Sequence, residues 1–143
     1  MADHKAAQIL AAIKTILTGL ATTGTNVFQS RAYALDSFPA LNIKLGQDAP
    51  QSIHNIFTDS ELSVNIEIFV KVSEELIDST ILQIRKEVQI ALMADESQGL
   101  GFVLMTLPSG MAPPDISTEE QTIGFAVLEF KFAYRSLLTD PSG

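Results

Sequence analysis

The spacing of apolar residues changes character several times along the chain, and each change marks an element. Ala6, Ile9, Leu10, Ile13, Ile16, Leu17 and Leu20 recur every three or four positions. That lines one face of a helix over about residues 4–21, with Asp3 available as N-cap and Gly24 as a stop. Residues 26–34 and 40–45 read as two short strands, parted by Leu35-Asp36-Ser37-Phe38-Pro39, where the proline requires an extended predecessor. Residues 46–59, GQDAPQSIHNIFTD, hold turn formers and no sustained period, and read as a loop. From Glu61 to Val72 the period becomes two. Leu62, Val64, Ile66, Ile68, Val70 and Val72 are apolar, while Glu61, Ser63, Asn65, Glu67 and Lys71 between them are polar, as in a half-buried strand. Phe69 alone interrupts the polar side. It is either a scattered surface residue or one half of a cross-strand pair in a contact surface.

Ser73 stands at an N-cap position, followed by Glu74, Glu75 and Asp78, whose charge suits the exposed N–H groups of a first helical turn. Val72 and Ile77 fit a hydrophobic staple, and Ile77, Ile81, Ile84, Val88, Ala91 and Leu92 extend the stripe, so a second helix spans about 74–94. A turn over 95–101 leads to a short strand, Phe102 to Leu107, that ends at Pro108, and a second long loop covers 108–120. The last strand, 122–137, puts Leu128, Phe130, Phe132 and Tyr134 on one face and Glu129, Lys131 and Arg135 on the other. Its first half breaks the rule, because Ile123, Phe125 and Val127 fall on the polar side. Either Gly124 marks a bulge that shifts the phase, or both faces are covered there, as at a subunit interface. Residues 140–143 read as a frayed tail. The order α-β-β-β-α-β-β specifies an α+β fold, a mainly antiparallel sheet with two helices packed on it, in a single domain over residues 1–143.

Composition narrows the chemistry. A chain of 143 residues, 46% hydrophobic and 18% charged, with 9 basic and 17 acidic residues and no cysteine, excludes a disulfide framework, thiol nucleophiles and thiolate metal sites. The net charge of −8 argues against a phosphate-reading surface. No window has the roughly 18 consecutive apolar residues of a membrane span, and Lys5 and Lys14 make the opening segment a helix of the domain rather than a leader. The acidity is uneven. Residues 1–47 and 121–143 are slightly basic or neutral, so the negative charge belongs to residues 48–120. Such a distribution suits head-to-tail association, or a solvated face that keeps the protein in solution.

Nucleophilic catalysis needs a Ser, Cys or Lys beside an orienting base, and of the two histidines His4 lies at a chain end and His54 in a polar loop, where it reads as a solvated residue rather than a general base. Gly99-Leu100-Gly101 lacks a third glycine and precedes a strand, so it is a turn and not a phosphate cradle. The acids Asp95, Glu96, Asp115, Glu119 and Glu120 show no metal-loop spacing. The sequence therefore reads as a non-enzyme with no catalytic, cofactor or metal site.

With that order of elements the chain resembles the tail terminator, or tail completion, proteins of long-tailed bacteriophages. The resemblance rests on the amphipathic opening helix, the Arg31 to Ile43 segment R-x-Y…F-P-A-L-N-I, the alternating strand ELSVNIEIFVKV, the helix ending near Leu92-Met93, and the closing strand FAVLEFKFAYRS before Asp-Pro. It implies a structural virion protein assembled in the host cytoplasm. That protein would form a ring, typically a hexamer, at the head-proximal end of the tail. It would cap the tail tube protein, meet the head-to-tail connector or neck protein, and let DNA pass without binding it. Membrane association and cofactors are not implied. On this resemblance Asp115, Glu119 and Glu120, or Asp48 and Asp59, would line or approach the channel, where like charge keeps phosphate from adhering. The long strands suggest Phe69, Ile123, Phe125 and Val127 as subunit contacts. A head-side neck protein and a dimeric ligand-binding α+β module are the alternative readings.

Overall fold

The computed structural model describes residues 3–29, 38–117 and 122–143. Arg31, Glu119 and Glu120, and residues 30–34 of the first strand expectation, lie outside the described residues. The architecture is α+β: two helices and a mostly antiparallel six-stranded sheet. In chain order the elements are α1 (Lys5–Leu17), β1 (Val27–Gln29), β2 (Ala40–His54), β3 (Phe57–Lys71), α2 (Ile77–Met93), β4 (Val103–Met111), β5 (Asp115–Ser117) and β6 (Ile123–Leu137). The sheet runs β1-β2-β3-β6-β4, with β5 also on β6, so β4 and β5 share one edge of the last strand end to end. β1 pairs with β2 in parallel, and every other pair is antiparallel.

The period-two alternation of β3 has its structural counterpart in burial. Leu62, Val64, Ile66, Ile68 and Val70 are fully buried, and their register partners on β6 include Phe132, Phe130, Leu128 and Ala126. Both helices cover this face. α1 contributes Ile9, Ile13 and Leu17 and α2 contributes Ile77, Ile81, Ile84, Val88 and Leu92 to the same core. Each such side chain removed from water stabilises the fold by ~1.5–3 kcal/mol. Among the described residues no helix lies over the opposite face.

Several expectations are corrected. His4 caps α1, its Nδ1 accepting from the Ala6 N–H at 3.0 Å, and Asp3 does not. α1 ends at Leu17, where Thr18 adopts extended backbone, short of the expected residue 21. A 3-10 turn, Glu74–Leu76, precedes α2, and the Ser73 side chain makes no cap bond. The expected loop over 46–59 is instead the β2–β3 hairpin, with a two-residue tip at Asn55 and Ile56. Two register shifts, between Leu45 and Asp48 and between Pro50 and Ser52, reset the alternation, and this end of β2 is exposed on both sides. No period survives for a reader of the sequence. β4 passes through Pro108, which an edge strand tolerates because one side of its ladder is unpaired. The tail is tied down: the Lys5 N–H donates to the Pro141 carbonyl at 2.9 Å, and the Leu137 N–H to Gly143.

No bulge occurs at Gly124. β6 pairs with β3 without a shift from Phe57 opposite Leu137 to Lys71 opposite Ile123. The glycine is required by packing, since a Cβ there would lie 2.6 Å from Ile77 Cγ2 and 2.9 Å from Val70 Cγ2. Both obstructing atoms belong to β-branched, fully buried side chains that cannot swing away. Gly124→Ala should therefore destabilise the domain by about 1–3 kcal/mol. Urea unfolding checks this: the midpoint falls with the slope unchanged.

Candidate functional site

The uncovered face of the sheet is built from the residues alternate to the core. β3 contributes Asp59, Glu61, Ser63, Asn65, Glu67, Phe69 and Lys71, and β6 contributes Arg135, Ala133, Lys131, Glu129, Val127, Phe125 and Ile123. Rows of register partners cross the strands, and they grade from charged at one end to apolar at the other.

At the apolar end a single row runs Ala40, Phe69, Phe125, Asp115 across β2, β3, β6 and β5. The Phe69 and Phe125 rings are 5.0 Å apart between centroids and tilted by 43°, within the range where aromatic pairs attract. Ile123 and Val127 stand one row to either side, opposite Lys71 and Glu67. The four expected contact residues therefore form one patch. All four are half-buried and no helix among the described residues packs over them, although Ala40 and Asn42 of the same face are fully buried. The unbroken ladder explains the anomalous first half of β6: its apolar side chains form a second apolar surface and involve no phase shift.

Toward the other end the face is a ladder of opposite charges. Lys44 meets Glu67 at 3.5 Å, Lys131 meets Glu61 at 3.7 Å, and Arg135 grips Asp59 with Nε donating at 2.7 Å and a second guanidinium nitrogen at 3.0 Å. Asn42, itself buried, also donates to Glu67 at 2.9 Å. The Arg135 hydrogen bonds and charge, with His54 at 3.4 Å, hold the Asp59 carboxyl below its ordinary value despite partial burial.

The expected acidic residues do not form one cluster. Asp59 is an ion-paired strand residue on the open face. Asp48 is also a strand residue, but its Oδ2 accepts from the hydroxyl of the core-facing Tyr134 at 2.7 Å, so it belongs to the helix side of the sheet. Burial and the Asp48 carboxylate together push the Tyr134 hydroxyl well above its usual value, which keeps it a donor. Asp115 is exposed in β5, about 33 Å from the Asp59 row at ~3.3 Å per residue along β6.

Sequence reasoning missed a cleft at the charged end. Lys5, Phe57, Phe102 and Arg135 are among the residues lining this cavity of about 420 Å³. The Lys5 ammonium lies 4.7 Å from the Phe102 ring centre and donates to the Arg135 carbonyl at 3.1 Å. No local signal could have found it, because its walls come from distant parts of the chain. Among the described residues no group of three His, Asp or Glu side chains could hold a metal ion, and no helix is long and apolar enough to cross a membrane. The fold is an α+β sheet domain with its described helices on one side and an aromatic pair on the other. No family model and no curated protein matches the sequence.

The Asp59–Arg135 pair makes a pH-dependent contribution of known sign. A carboxyl held below its unfolded value adds stability that is present above about pH 4 and lost as pH falls through the folded value. Asp59→Asn should therefore lower the urea midpoint at pH 7, and the gap to wild type should close below pH 4. A gap that persists unchanged to pH 2 would rule out the pair as its source.

Proposed function

We propose that the protein is a ring-forming structural subunit of the tail-terminator kind, which closes a tail tube and offers its other side to the head. The observation that supports this most directly is the patch of Phe69, Phe125, Ile123 and Val127 on a sheet face that no helix among the described residues covers. An aromatic pair with aliphatic neighbours on an otherwise ion-paired face is an economical contact for another subunit. Repeated head to tail, such a contact closes into a ring when the rotation permits. The chain's net charge of −8 supports the same reading, because a passage for DNA must not grip phosphate.

Phe125→Asp places a charge at the centre of the patch and should reduce the assembly to its smallest species in light scattering. The ring reading fails if the mass is unchanged. Neutralising Asp115, Glu119 and Glu120 to Asn and Gln should leave assembly intact and slow DNA ejection from the particle. Ejection at the normal rate would remove these acids from the channel.

A further inference from the structure

The solvent side of α2 carries a second apolar stripe. Ile77, Ile81, Ile84, Val88 and Leu92 are fully buried against the sheet. At 100° per residue Leu82, Lys86, Ile90 and Met93 point the opposite way. Leu82 is 52% exposed and Ile90 62% exposed, where a surface helix ordinarily shows polar side chains.

Charge is segregated along the same helix. Glu74, Glu75 and Asp78 occupy its entry and Arg85 and Lys86 its middle, beside Glu87, whose carboxylate is bonded to Thr22; neither cation is within ion-pair distance of a carboxylate among the described residues. Asp78 stands four residues before Leu82, and Lys86 stands four residues after it. This helix is therefore complementary to its own reverse. If two copies cross antiparallel at Leu82, each Asp78 meets the other copy's Lys86, about 6 Å along the helix from the crossing point. One turn further out, Glu75 meets Gln89. Crossing one turn later, at Lys86, would instead oppose two ammonium groups, so charge selects the first register over the second. The surface beside Leu82 carries two shallow, open depressions. A depression of about 340 Å³ includes Lys86, Gln89 and Ile90 in its lining, and a smaller one of about 160 Å³ lies toward Asp78, Met111 and Pro114.

We infer that the solvent face of α2 is an isologous docking surface for a second copy of this chain, with Leu82 on the two-fold axis, two Asp78–Lys86 ion pairs flanking it, and Ile90 at the periphery opposite Glu74. The inference goes beyond the ring and does not rest on it. The patch around Phe125 lies on the opposite side of the sheet, so the two contacts can exist together, and the two-fold contact would join subunits or whole rings in pairs. A single helix pair is at the small end of interface sizes, so the association is concentration-dependent and weakened by salt.

Sedimentation velocity on the full chain over a wide concentration range tests it. The wild type should double the mass of its smallest species as concentration rises. Asp78→Lys and Lys86→Asp should each weaken that doubling at least tenfold, because each sets like charges face to face. Combining the two substitutions restores opposite charges and should restore doubling, while Leu82→Glu should abolish it; all three positions of change are solvent-exposed, and circular dichroism verifies folding. The proposal is overturned if the wild type never doubles, which would mean that a different partner covers the stripe. It is equally overturned if the single charge variants double normally, or if the combined variant does not recover. Phe125→Asp separates the two contacts: it removes the ring and leaves the doubling of the smallest species in place.

Discussion

The uninterrupted antiparallel pairing of β3 with β6 is the constraint from which the rest of the structure follows. Every residue from Phe57 to Lys71 has a partner, with no shift between the first pair and the last. Side chains alternate faces, so this register sends Leu62 through Val70 and Ala126 through Tyr134 to one side together. A slip of one residue would turn the whole apolar set to water, which makes the pairing all-or-none. α1 and α2 then have one place to bury their stripes, and among the described residues no helix covers the opposite face.

That open face resolves its exposure in two ways. Where its side chains are charged, they alternate in sign across the strands, so Glu61, Glu67 and Asp59 each have a cation within reach. Exposed pairs of this kind contribute little individually, but they spare the sheet like-charge repulsion directly across the ladder. Where the side chains are apolar, they gather around Phe69 and Phe125. The exposed β4 edge is handled separately, by Pro108 and two register shifts that make it a poor template for an added strand. An accessible face beside a blunted edge favours association through side chains over strand addition.

The legibility of these features in the sequence depended on whether a residue's environment repeated along the chain. β3, α2 and the second half of β6 were readable because one face is buried throughout and the other is not. Residues 46–54 of β2 were unreadable as a strand because two bulges reset the phase and neither face is buried. Gly124 was misread as a possible bulge because the atoms that require a glycine, on Ile77 and Val70, are remote in sequence. The patch residues could be named from the alternation of β6, but that Phe69 stands opposite Phe125 needed the register. The Tyr134–Asp48 bond and the cleft between Phe57 and Phe102 had no linear signature at all.

The position of the negative charge illustrates the same dependence on register. Along the chain it concentrates between residues 48 and 120, as though one acidic surface existed. In the fold, Asp48 and Asp59 come from adjacent strands of one hairpin yet face opposite sides of the sheet, one held by Tyr134 and the other by Arg135. Glu87, which burial would otherwise raise, is kept low by the Thr22 hydroxyl and N–H and by Gln83, and so spends its charge inside the molecule. Asp95 is likewise occupied with the Ser97 and Gly99 amides of its own turn. Among the described residues what remains without such a partner is a smaller set: Glu96 in the turn after α2, and two groups, Asp115 beside the aromatic patch and Glu74, Glu75 and Asp78 at the start of α2. These two groups lie where the apolar surfaces also lie. For the proposed contacts the relevant acidity is the part adjacent to those surfaces, where a charge can select a partner and a register that apolar contact alone would leave undecided.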